Sequence, residues 1–377
     1  MRPIKLFTPG PTEVPWRVRE KMARPLIHHR TAEYRTIQRE VIEDLQRFMR
    51  TKNPVLLLAS SGTGAMEASV VNLTRPGEKV LVTVAGKFSG RWKEIGEAYG
   101  LDVVAVEARW GDAVPPEEVA RALDENPGVG VVFTTHAETS TGVLQDVKSI
   151  ATIARERGAL VVVDAITSIC AEALETDVWG LDIVVGSSQK GVMTPPGLAF
   201  LSLSGAARER VERAPHRAYY FDLNRALAAY DDGDTPWTPA IGLVTGLNEA
   251  LKMIGEEGLE NVIERHARNA RATRAAVRAL GLGLLASVPA NCTTAVVFED
   301  GNAEAVRKHL YEVYGMRIAG GQAQLKGKIV RLGHLGYYFE SDIFTLISGF
   351  ESTLLDLGVI EAGGRGVQAL FGEFHEM

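Results

Sequence analysis

The chain has 377 residues, of which 46% are hydrophobic and 23% are charged, and this balance is ordinary for a folded globular protein. Its net charge of −6 at pH 7 argues against nucleic acid or an anionic membrane as the main partner. The sequence shows no membrane-spanning run, prolines interrupt any signal-peptide core near the N-terminus, and two cysteines cannot build a disulfide framework. We therefore expect a protein of the reducing cytoplasm, without a membrane partner.

Short apolar runs alternate with helical stretches from Arg35 to about Leu203. Such alternation predicts an α/β fold with a mostly parallel sheet that is covered by helices on both faces. The predicted strands are Val55–Ala59, Val80–Val84, Val103–Val106, Val129–Thr134, Leu160–Val163, Ile183–Val185 and Leu198–Leu203. The predicted helices of this region are Ala65–Leu73, Pro116–Leu123 and Ser149–Arg157.

A long predicted helix, Ile241–Gly255, links this region to a second part of the chain. There the pattern predicts a small α+β domain with strands Val296–Phe298 and Ile329–Leu332 around helix Ala303–Tyr314. The arginines of the helical stretch Glu264–Arg278 are expected to form a solvated face. We thus predict an N-terminal segment (residues 1–20), a large domain (21–258) and a small C-terminal domain (259–377).

A turn of small residues, Ser60-Ser61-Gly62-Thr63-Gly64, separates a predicted strand from a predicted helix. Free N–H groups and the helix dipole at such a helix start favour an anion such as phosphate, and the hydroxyl groups add donors. The turn is not a Walker loop, because no Gly-Lys-Ser/Thr follows, and it is only part of a dinucleotide fingerprint. Small-residue turns before helices are common, so the motif alone remains weak.

A carboxylate, Asp164, ends the apolar run Val161–Val163. Ligands bind at the carboxyl ends of the strands in parallel α/β sheets. A carboxylate there can pair with a cationic ring nitrogen, as pyridoxal phosphate (PLP) chemistry requires. The alternative is an ordinary helix N-cap.

Lys190 lies in a turn of small residues between two predicted buried strands, and a double proline, Pro195-Pro196, stiffens the exit. A lysine that forms a Schiff base must be fixed and partly desolvated, so that its amine is neutral near pH 7. The alternative is a lysine in a surface loop.

Arg331 lies between apolar neighbours in the predicted strand Lys326–Gly333. An arginine in the interior needs an anionic partner. A guanidinium group binds a planar carboxylate through two parallel hydrogen bonds, which suits a substrate carboxylate. The alternative is a structural ion pair within the strand region.

In combination and in this order, the motifs resemble those of the class V aminotransferases among the fold-type I PLP enzymes, most closely the alanine–glyoxylate and serine–pyruvate or serine–glyoxylate aminotransferases. The resemblance extends from Phe7 to about Gly336 and implies a seven-stranded sheet and a smaller C-terminal domain. The motifs that carry it are Thr8-Pro9-Gly10-Pro11, Ser61-Gly62-Thr63-Gly64, Thr135 to Gly142, Val163-Asp164, Ser188-Gln189-Lys190, Pro195-Pro196-Gly197 and Val330-Arg331-Leu332-Gly333.

The resemblance also implies a role for each matching residue. Lys190 forms the internal aldimine with PLP and carries the proton, Asp164 pairs with the pyridine nitrogen, and Arg331 binds the substrate carboxylate. The remaining implied site residues are Ser61, Gly62, Thr63 and Gln189 at the phosphate, Phe88 stacked on the ring, Ile166 below it, Thr139 near its phenolic oxygen, Gly10 at the substrate, and Thr238 reaching the phosphate of the neighbouring subunit. Phe88 departs from the Trp or Tyr of many relatives, and Thr235 stands where some relatives carry Tyr.

The resemblance implies a homodimer that transfers an amino group from alanine or serine to glyoxylate or pyruvate. Another donor, such as aspartate or an aminophosphonate, remains open. A PLP lyase or desulfurase needs a cysteine on a mobile loop, whereas Cys170 and Cys292 lie in apolar surroundings. Two further alternatives are a non-enzymatic subunit associated with a hydrogenase and a nucleotide-binding domain. We expect structural roles for His28 and His29, with a substrate role as the alternative, and no residue pattern for a metal.

Overall fold

The structure is a computed structural model that describes residues 4–214, 218–299 and 301–375. Elements are numbered in chain order. In the described residues, seven strands form the central sheet in the order β2 (Val55–Leu58), β10 (Ala199–Leu203), β9 (Ile183–Ser187), β8 (Leu160–Asp164), β5 (Val131–Thr135), β3 (Lys79–Val84) and β4 (Asp102–Glu107). β10 runs antiparallel to β2 and β9, and the other pairs are parallel. The predicted mostly parallel seven-stranded sheet is therefore confirmed.

Helices cover both faces of this sheet, and the side chains of each strand alternate between two apolar cores. In β8, for example, Val161 and Val163 belong to one core and Val162 to the other. These helices are α1 (Trp16–Met22), α2 (Ala32–Phe48), α3 (Gly62–Leu73), α4 (Lys87–Ala98), α5 (Pro116–Glu125), α6 (Val147–Glu156), α7 (Thr176–Trp179), α8 (Gly205–Arg213), α9 (Leu223–Asp231) and α10 (Ile241–Glu257). Burial on both faces explains the continuous apolar runs of the central strands.

A second, antiparallel sheet has the order β11 (Gly283–Leu284), β12 (Thr293–Val297), β15 (Ile329–Gly333) and β14 (Ala319–Gly320). It packs with helices α11 (Leu259–Ala279), α12 (Ala303–Tyr314), α13 (Glu340–Asp356) and α14 (Arg365–His375) around its own apolar core. Two short pairs complete the strands: β1 (Lys5–Leu6) with β13 (Met316–Arg317), and β6 (Ala137–Glu138) with β7 (Val143–Leu144). A 3-10 turn spans Ala323–Leu325. Within the described ranges, no helix is long and apolar enough to cross a membrane.

The division into three segments stays a prediction. Its boundary at residues 258 and 259 falls between α10 and α11, whereas the boundary at residues 20 and 21 falls inside α1. Helix α3 begins at Gly62, three residues before the predicted start at Ala65, because Ser61 already caps it in an extended conformation.

The expectation of a solvated arginine face on α11 is wrong for at least one arginine. The side chain of Arg265 is only 12% exposed. It donates to the carbonyl oxygens of Gly336 and Tyr338, each at 2.9 Å, and pairs with Glu257. It therefore holds the loop that follows β15, since buried or half-buried carbonyls need donors.

The N-terminal segment joins the two sheets. Gly333 at the end of β15 donates to the Phe7 carbonyl at 2.7 Å, and a Cβ at Gly333 would overlap the Thr8 backbone. A few residues later, Thr12 donates through its N–H to the Gln189 carbonyl at 3.2 Å and through its hydroxyl to the Lys190 carbonyl at 3.1 Å. This segment thus fixes the strand of Arg331 relative to the turn of Lys190.

Candidate active site

The predicted site residues converge at the carboxyl edge of the central sheet. Asp164 ends β8, and Lys190 follows β9 in a short turn before β10. Asp164 lies on the same sheet face as Val162, because side chains alternate along a strand. That face is covered by α3, so the start of α3 and the carboxylate lie on one side of the sheet.

The first turn of α3 has the form of an anion cradle. Ser61 is the N-cap, but its side chain makes no capping bond to the helix. A Cβ at Gly62 would overlap the end of the Ile166 side chain, and a Cβ at Gly64 would overlap the Ser60 hydroxyl. Each glycine thus leaves room for the neighbouring side chain in the position that it occupies. The Gly64 N–H donates to the Ser61 carbonyl at 2.9 Å, so the N–H groups of Gly62 and Thr63, at the first two helical positions, are the ones left for an anion.

Arg91 of α4 completes the polar surroundings of this cradle, and the sequence reasoning assigned it no role. Its Nη1 donates to the Thr63 hydroxyl at 2.9 Å. Because that bond occupies a lone pair of Oγ1, the hydroxyl hydrogen of Thr63 remains free to donate to an anion. The guanidinium also lies 5.1 Å from the centre of the Phe88 ring.

Asp164 is a buried carboxylate with few partners. Its Oδ1 accepts a hydrogen bond from the Ile166 N–H at 2.9 Å. Burial raises its pKa to about 7, and the nearby Glu138 acts in the same direction. In residues 4–214, 218–299 and 301–375, no lysine or arginine nitrogen lies within 4.0 Å of it. The carboxylate is thus desolvated, and the more distant charges of Lys190 and Arg91 offset the resulting rise in its pKa only in part.

The amine of Lys190 is held by the N-terminal segment. Its Nζ donates to the Pro9 carbonyl at 2.9 Å. A Cβ at Gly10 would overlap the lysine side chain, and Gly10 has a φ of +139°, which an L side chain rarely adopts. Burial lowers the pKa of Lys190 to about 8, and the charges of Arg331 and Arg91 also lower it. An appreciable fraction of the amine is therefore neutral near pH 7 to 8.

Arg331 is 5% exposed, and its known partners are carbonyl groups. Nε donates to Gly320 at 3.0 Å and Nη1 to Thr139 at 2.9 Å. Burial lowers its pKa to about 10, whereas Glu138 acts in the opposite direction. Among the described residues no carboxylate forms a salt bridge with it. The alternative of a structural ion pair therefore finds no support, and the guanidinium remains open to an anionic ligand.

Of the predicted site residues not yet described, Thr139, Gln189 and Phe88 are buried or half-buried, whereas Thr238 is exposed. Thr139 Oγ1 lies 2.7 Å from Thr167 Oγ1, and the Oε1 atom of Gln189 is buried with no partner in the described part of the chain. Phe88 is the second residue of α4. Thr238 is exposed and lines a surface depression together with Ala59, two residues before Ser61.

A buried acid that the sequence reasoning missed, Glu138, positions two of these residues. Its carboxylate accepts hydrogen bonds from the N–H groups of Phe88, Ser89 and Ser140 and from both serine hydroxyls. It therefore anchors the start of α4 with Phe88, and it precedes Thr139, whose carbonyl holds Arg331. The acid stands in the motif Thr135 to Gly142, but a single glutamate in a motif does not reveal that its partners are backbone donors.

Both cysteines are buried, and Cys292 lies close enough to Lys190 for an electrostatic interaction. Burial raises the pKa of both Cys170 and Cys292 to about 12, so neither supplies a thiolate for desulfurase chemistry. The rings of His28 and His29 stack at 4.6 Å, and His28 Nδ1 accepts from the Arg30 N–H before α2. The described residues contain no cluster of three or more metal-ligand side chains.

The residues present fit the PLP site that the sequence predicts. An anion cradle at α3 suits the phosphate, and the unpartnered carboxylate of Asp164 suits a cationic ring nitrogen. The lysine amine lies at the same edge with a lowered pKa. Gln189 Oε1 is a buried acceptor without a partner among the described residues, and a phosphate, whose oxygens accept, would be bound by the NH2 group of the same amide.

Comparisons with known proteins agree with this geometry. The sequence model of the family "Aminotransferase class-V" matches residues 6–337. A protein of Anabaena cylindrica named soluble hydrogenase 42 kDa subunit is 41% identical over 94% of each chain. The L-aspartate–glyoxylate aminotransferase of Paracoccus denitrificans is 38% identical over 97% of this chain and 94% of its own. The crystal structure of ureidoglycine–glyoxylate aminotransferase from Bacillus subtilis has a TM-score of 0.93 at 29% identity and covers 99% of this chain and 98% of its own.

The unpartnered state of Asp164 predicts a pH signature in the cofactor-free protein. Its pKa of about 7 lies above the usual value near 3.9 of an unfolded chain. The folded state therefore loses stability as pH rises from about 4 to about 7, by about 1.4 kcal/mol per pH unit. Asp164→Asn removes this loss. The free energy of unfolding of the variant should therefore increase relative to that of wild type as pH rises over this range.

Denaturant unfolding of both cofactor-free proteins at several pH values measures the difference. Glu172→Gln is the matched control, because burial also raises the pKa of Glu172 to about 7. The control should show a similar pH dependence of its free energy of unfolding relative to wild type, and it should bind PLP like wild type. Asp164→Asn should in addition lose more than about tenfold in turnover, which is about 1.4 kcal/mol. A pH-independent difference for Asp164→Asn would show that its carboxylate is solvated.

Proposed function

The chain belongs to the class-V aminotransferase family, and from this premise we propose that it transfers the amino group of alanine or serine to glyoxylate or pyruvate. The protein is an aminotransferase that depends on PLP. When bound, PLP supplies an electron sink for the bond that breaks at the substrate Cα. The choice of substrates within this reaction class is our proposal.

One observation carries the proposal: the site holds two buried charged groups of opposite sign without ion-pair partners in the described chain. Asp164 is 5% exposed and Arg331 is 5% exposed, and neither forms a salt bridge there. An unpaired buried charge costs several kcal/mol, so each group favours a ligand of the opposite charge. A cationic ring and a carboxylate substrate satisfy both at once.

The role of each residue follows from its surroundings. We propose that the guanidinium of Arg331, held in plane by two carbonyls, binds the substrate α-carboxylate through its remaining N–H groups. The neutral fraction of Lys190 Nζ then accepts the proton from Cα and returns it in the second half of the reaction. When PLP is bound, Asp164 would accept a hydrogen bond from its protonated ring nitrogen, and Phe88 would pack on the ring.

The acceptor and the donor are supported to different degrees. Both aminotransferases described above carry glyoxylate in their names, which supports glyoxylate as the acceptor. Aspartate is the second candidate donor, because the relative from Paracoccus denitrificans uses it by name. Its additional carboxylate needs a cation. Arg91 is half-buried and has no carboxylate partner among the described residues, so it is the guanidinium that we assign to this alternative.

We further propose that the protein works as a homodimer in which Thr238 completes the phosphate cradle of the partner subunit. Thr238 is exposed in a segment with Trp237, whose ring stacks on Tyr220 at 5.8 Å. Exposed aromatic side chains are frequent in the buried centre of protein interfaces. An isologous two-fold dimer is the commonest arrangement.

A donor panel tests the reaction. Alanine, serine and aspartate are supplied with glyoxylate, and formation of glycine and of the matching 2-oxo acid is measured. We expect alanine and serine to react faster than aspartate, and Lys190→Ala to remain folded but inactive, because no amine then carries the Cα proton. If no amino acid alters the visible absorbance of bound PLP, the protein is not an aminotransferase for these donors. If aspartate leads and Arg91→Gln impairs it selectively, the second candidate is correct.

Removal of the Arg331 side chain should lower kcat/KM for every substrate by a similar factor, because all of them carry the α-carboxylate. Hydrogen bonds to charged groups contribute about 1.5–3 kcal/mol each, so Arg331→Ala should lower kcat/KM for alanine and serine at least about a hundredfold. Arg331→Lys should recover little, since a point charge does not reproduce the planar fork. PLP should still bind, because its phosphate lies at α3. Arg317→Ala, which removes an arginine stacked on Tyr311, is the control and should retain activity. A loss confined to one donor would show that Arg331 reads the side chain.

A hybrid-dimer experiment tests Thr238. Subunits with Lys190→Ala and subunits with Thr238→Ala are mixed, dissociated and reassembled. In a hybrid, the site with intact Lys190 receives Thr238 from its partner, so activity should rise above that of either variant alone. Absence of recovery would show that Thr238 serves its own subunit, next to Ala59, and light scattering that finds a fully active monomer would exclude the dimer.

A further inference from the structure

The loop that follows β8 reaches the small sheet through a buried acid, Glu172. Glu172 is 5% exposed, and its carboxylate accepts two hydrogen bonds from Asn291, one from the backbone N–H and one from the side-chain Nδ2 at 2.9 Å. Asn291 lies two residues before β12, the strand that pairs with β15. Each carboxylate oxygen thus holds one donor of the segment that enters the small sheet. This carboxylate therefore connects the two sheets.

The loop of Glu172 is fixed to the reacting groups at two points. It begins directly after Asp164, at the end of β8. Farther along, a Cβ at Gly191 would overlap the carbonyl oxygen of Ile169, so the loop lies against the residue that follows Lys190. The position of Glu172 therefore follows that of the carboxylate and the amine, because the intervening loop is mostly buried and closely packed.

Asn291 is fixed in turn to the strand of Arg331. Its carbonyl accepts a hydrogen bond at 3.0 Å from Nδ1 of His334, the residue that directly follows β15. The His334 N–H donates to the Cys292 carbonyl at 3.4 Å, and farther along the same pair of strands Ala295 lies opposite Arg331. A displacement of Asn291 would therefore be transmitted to Arg331 along a hydrogen-bonded pair of strands.

We propose that Glu172 is a positioning residue for substrate binding: it holds the small sheet at the place where the Arg331 guanidinium faces the Lys190 turn. The inference rests on the proposed role of Arg331 as the group that binds the α-carboxylate. The carbonyl of Thr139 holds the guanidinium itself, whereas Glu172 holds the strand from which the side chain extends. A carboxylate suits this task, because two N–H donors need two acceptors and a charged acceptor forms the stronger hydrogen bonds.

A second buried acid provides a matched control. Glu351 of α13 is 3% exposed, and its carboxylate accepts hydrogen bonds from the N–H groups of Gly366 at 3.1 Å and Val367 at 3.2 Å. It makes the same kind of contact as Glu172, but the segment that it holds is the start of α14. Loss of either carboxylate leaves two donors without their acceptor and destabilises the folded protein, whereas only the loss of Glu172 acts on the strand of Arg331.

The experiment compares Glu172→Ala with Glu351→Ala in the PLP-loaded enzyme, with glyoxylate and the fastest donor of the panel. Because misplacement of a binding group by about 1 Å can cost about a hundredfold in rate, we expect Glu172→Ala to raise KM for the donor about tenfold. Its kcat should stay within about threefold of wild type, since Lys190 and Asp164 belong to the central sheet. Glu351→Ala should lower Tm to a similar extent and leave KM and kcat unchanged.

Propionate, a small carboxylate without an amino group, tests the carboxylate site directly. Its inhibition constant should rise in Glu172→Ala by the same factor as KM, since inhibition by a ligand that does not react contains no rate of chemistry. Glu172→Gln should return both constants to within about threefold of wild type, because rotation of the Asn291 amide lets its Oδ1 accept from the new NH2 group. If Glu172→Ala does not fold, Asn291→Ala removes the side-chain contact alone and should raise both constants about threefold.

A KM and an inhibition constant within about twofold of wild type in Glu172→Ala, with a loss of stability like that of Glu351→Ala, would overturn the inference and leave a purely structural contact. A loss of kcat at unchanged KM would also overturn it, since Glu172 would then act on the Lys190 turn. If Arg331→Ala raises KM and Glu172→Ala does not, this inference alone fails. If neither variant raises KM, the proposed carboxylate site at Arg331 fails as well.

Discussion

The active site depends on the separation of buried charges of opposite sign. Asp164 lies on the central sheet and Arg331 on the small sheet, and each is nearly inaccessible to water. Direct pairing of the two would satisfy both and close the site. Instead, Arg331 is held by the carbonyls of Gly320 and Thr139, which fix its plane but do not neutralise it. The desolvation cost that remains is compensated only when a ligand brings a cation to one group and a carboxylate to the other.

The main chain of the N-terminal segment maintains this separation. It binds the end of β15 through the Phe7 carbonyl and the Lys190 turn through Thr12. At Gly10 and Gly333 the backbone approaches so closely that a single Cβ would overlap its neighbours. At Gly333 the contact joins two backbones, so no side chain can adapt, whereas at Gly10 the neighbour is the Lys190 side chain. The positions of the Arg331 strand and of the Lys190 turn are therefore tied to each other through a segment far from either in sequence.

The sequence predicted the seven strands of the central sheet to within two residues, because most of them are continuous apolar runs buried on both faces. Asp164 and Lys190 could be found because the carboxyl edge of such a sheet is where ligands bind. Glu138 was hidden, because its partners are mostly backbone N–H groups, which every sequence has. The inward turn of Arg265 depends on carbonyls in a distant loop, so a helical pattern cannot reveal it.

In the proposed reaction, one arginine, Arg331, binds the α-carboxylate in both halves of the transamination, because the donor and the acceptor share only this group and the carbon beside it. Discrimination between donors must therefore come from the space around the reacting carbon. That carbon has to approach the Lys190 amine, which lies against the Pro9 carbonyl and over Gly10, where even a Cβ has no room. The proposed preference for alanine or serine agrees with this arrangement, because a small side chain needs little space beside the Lys190 amine.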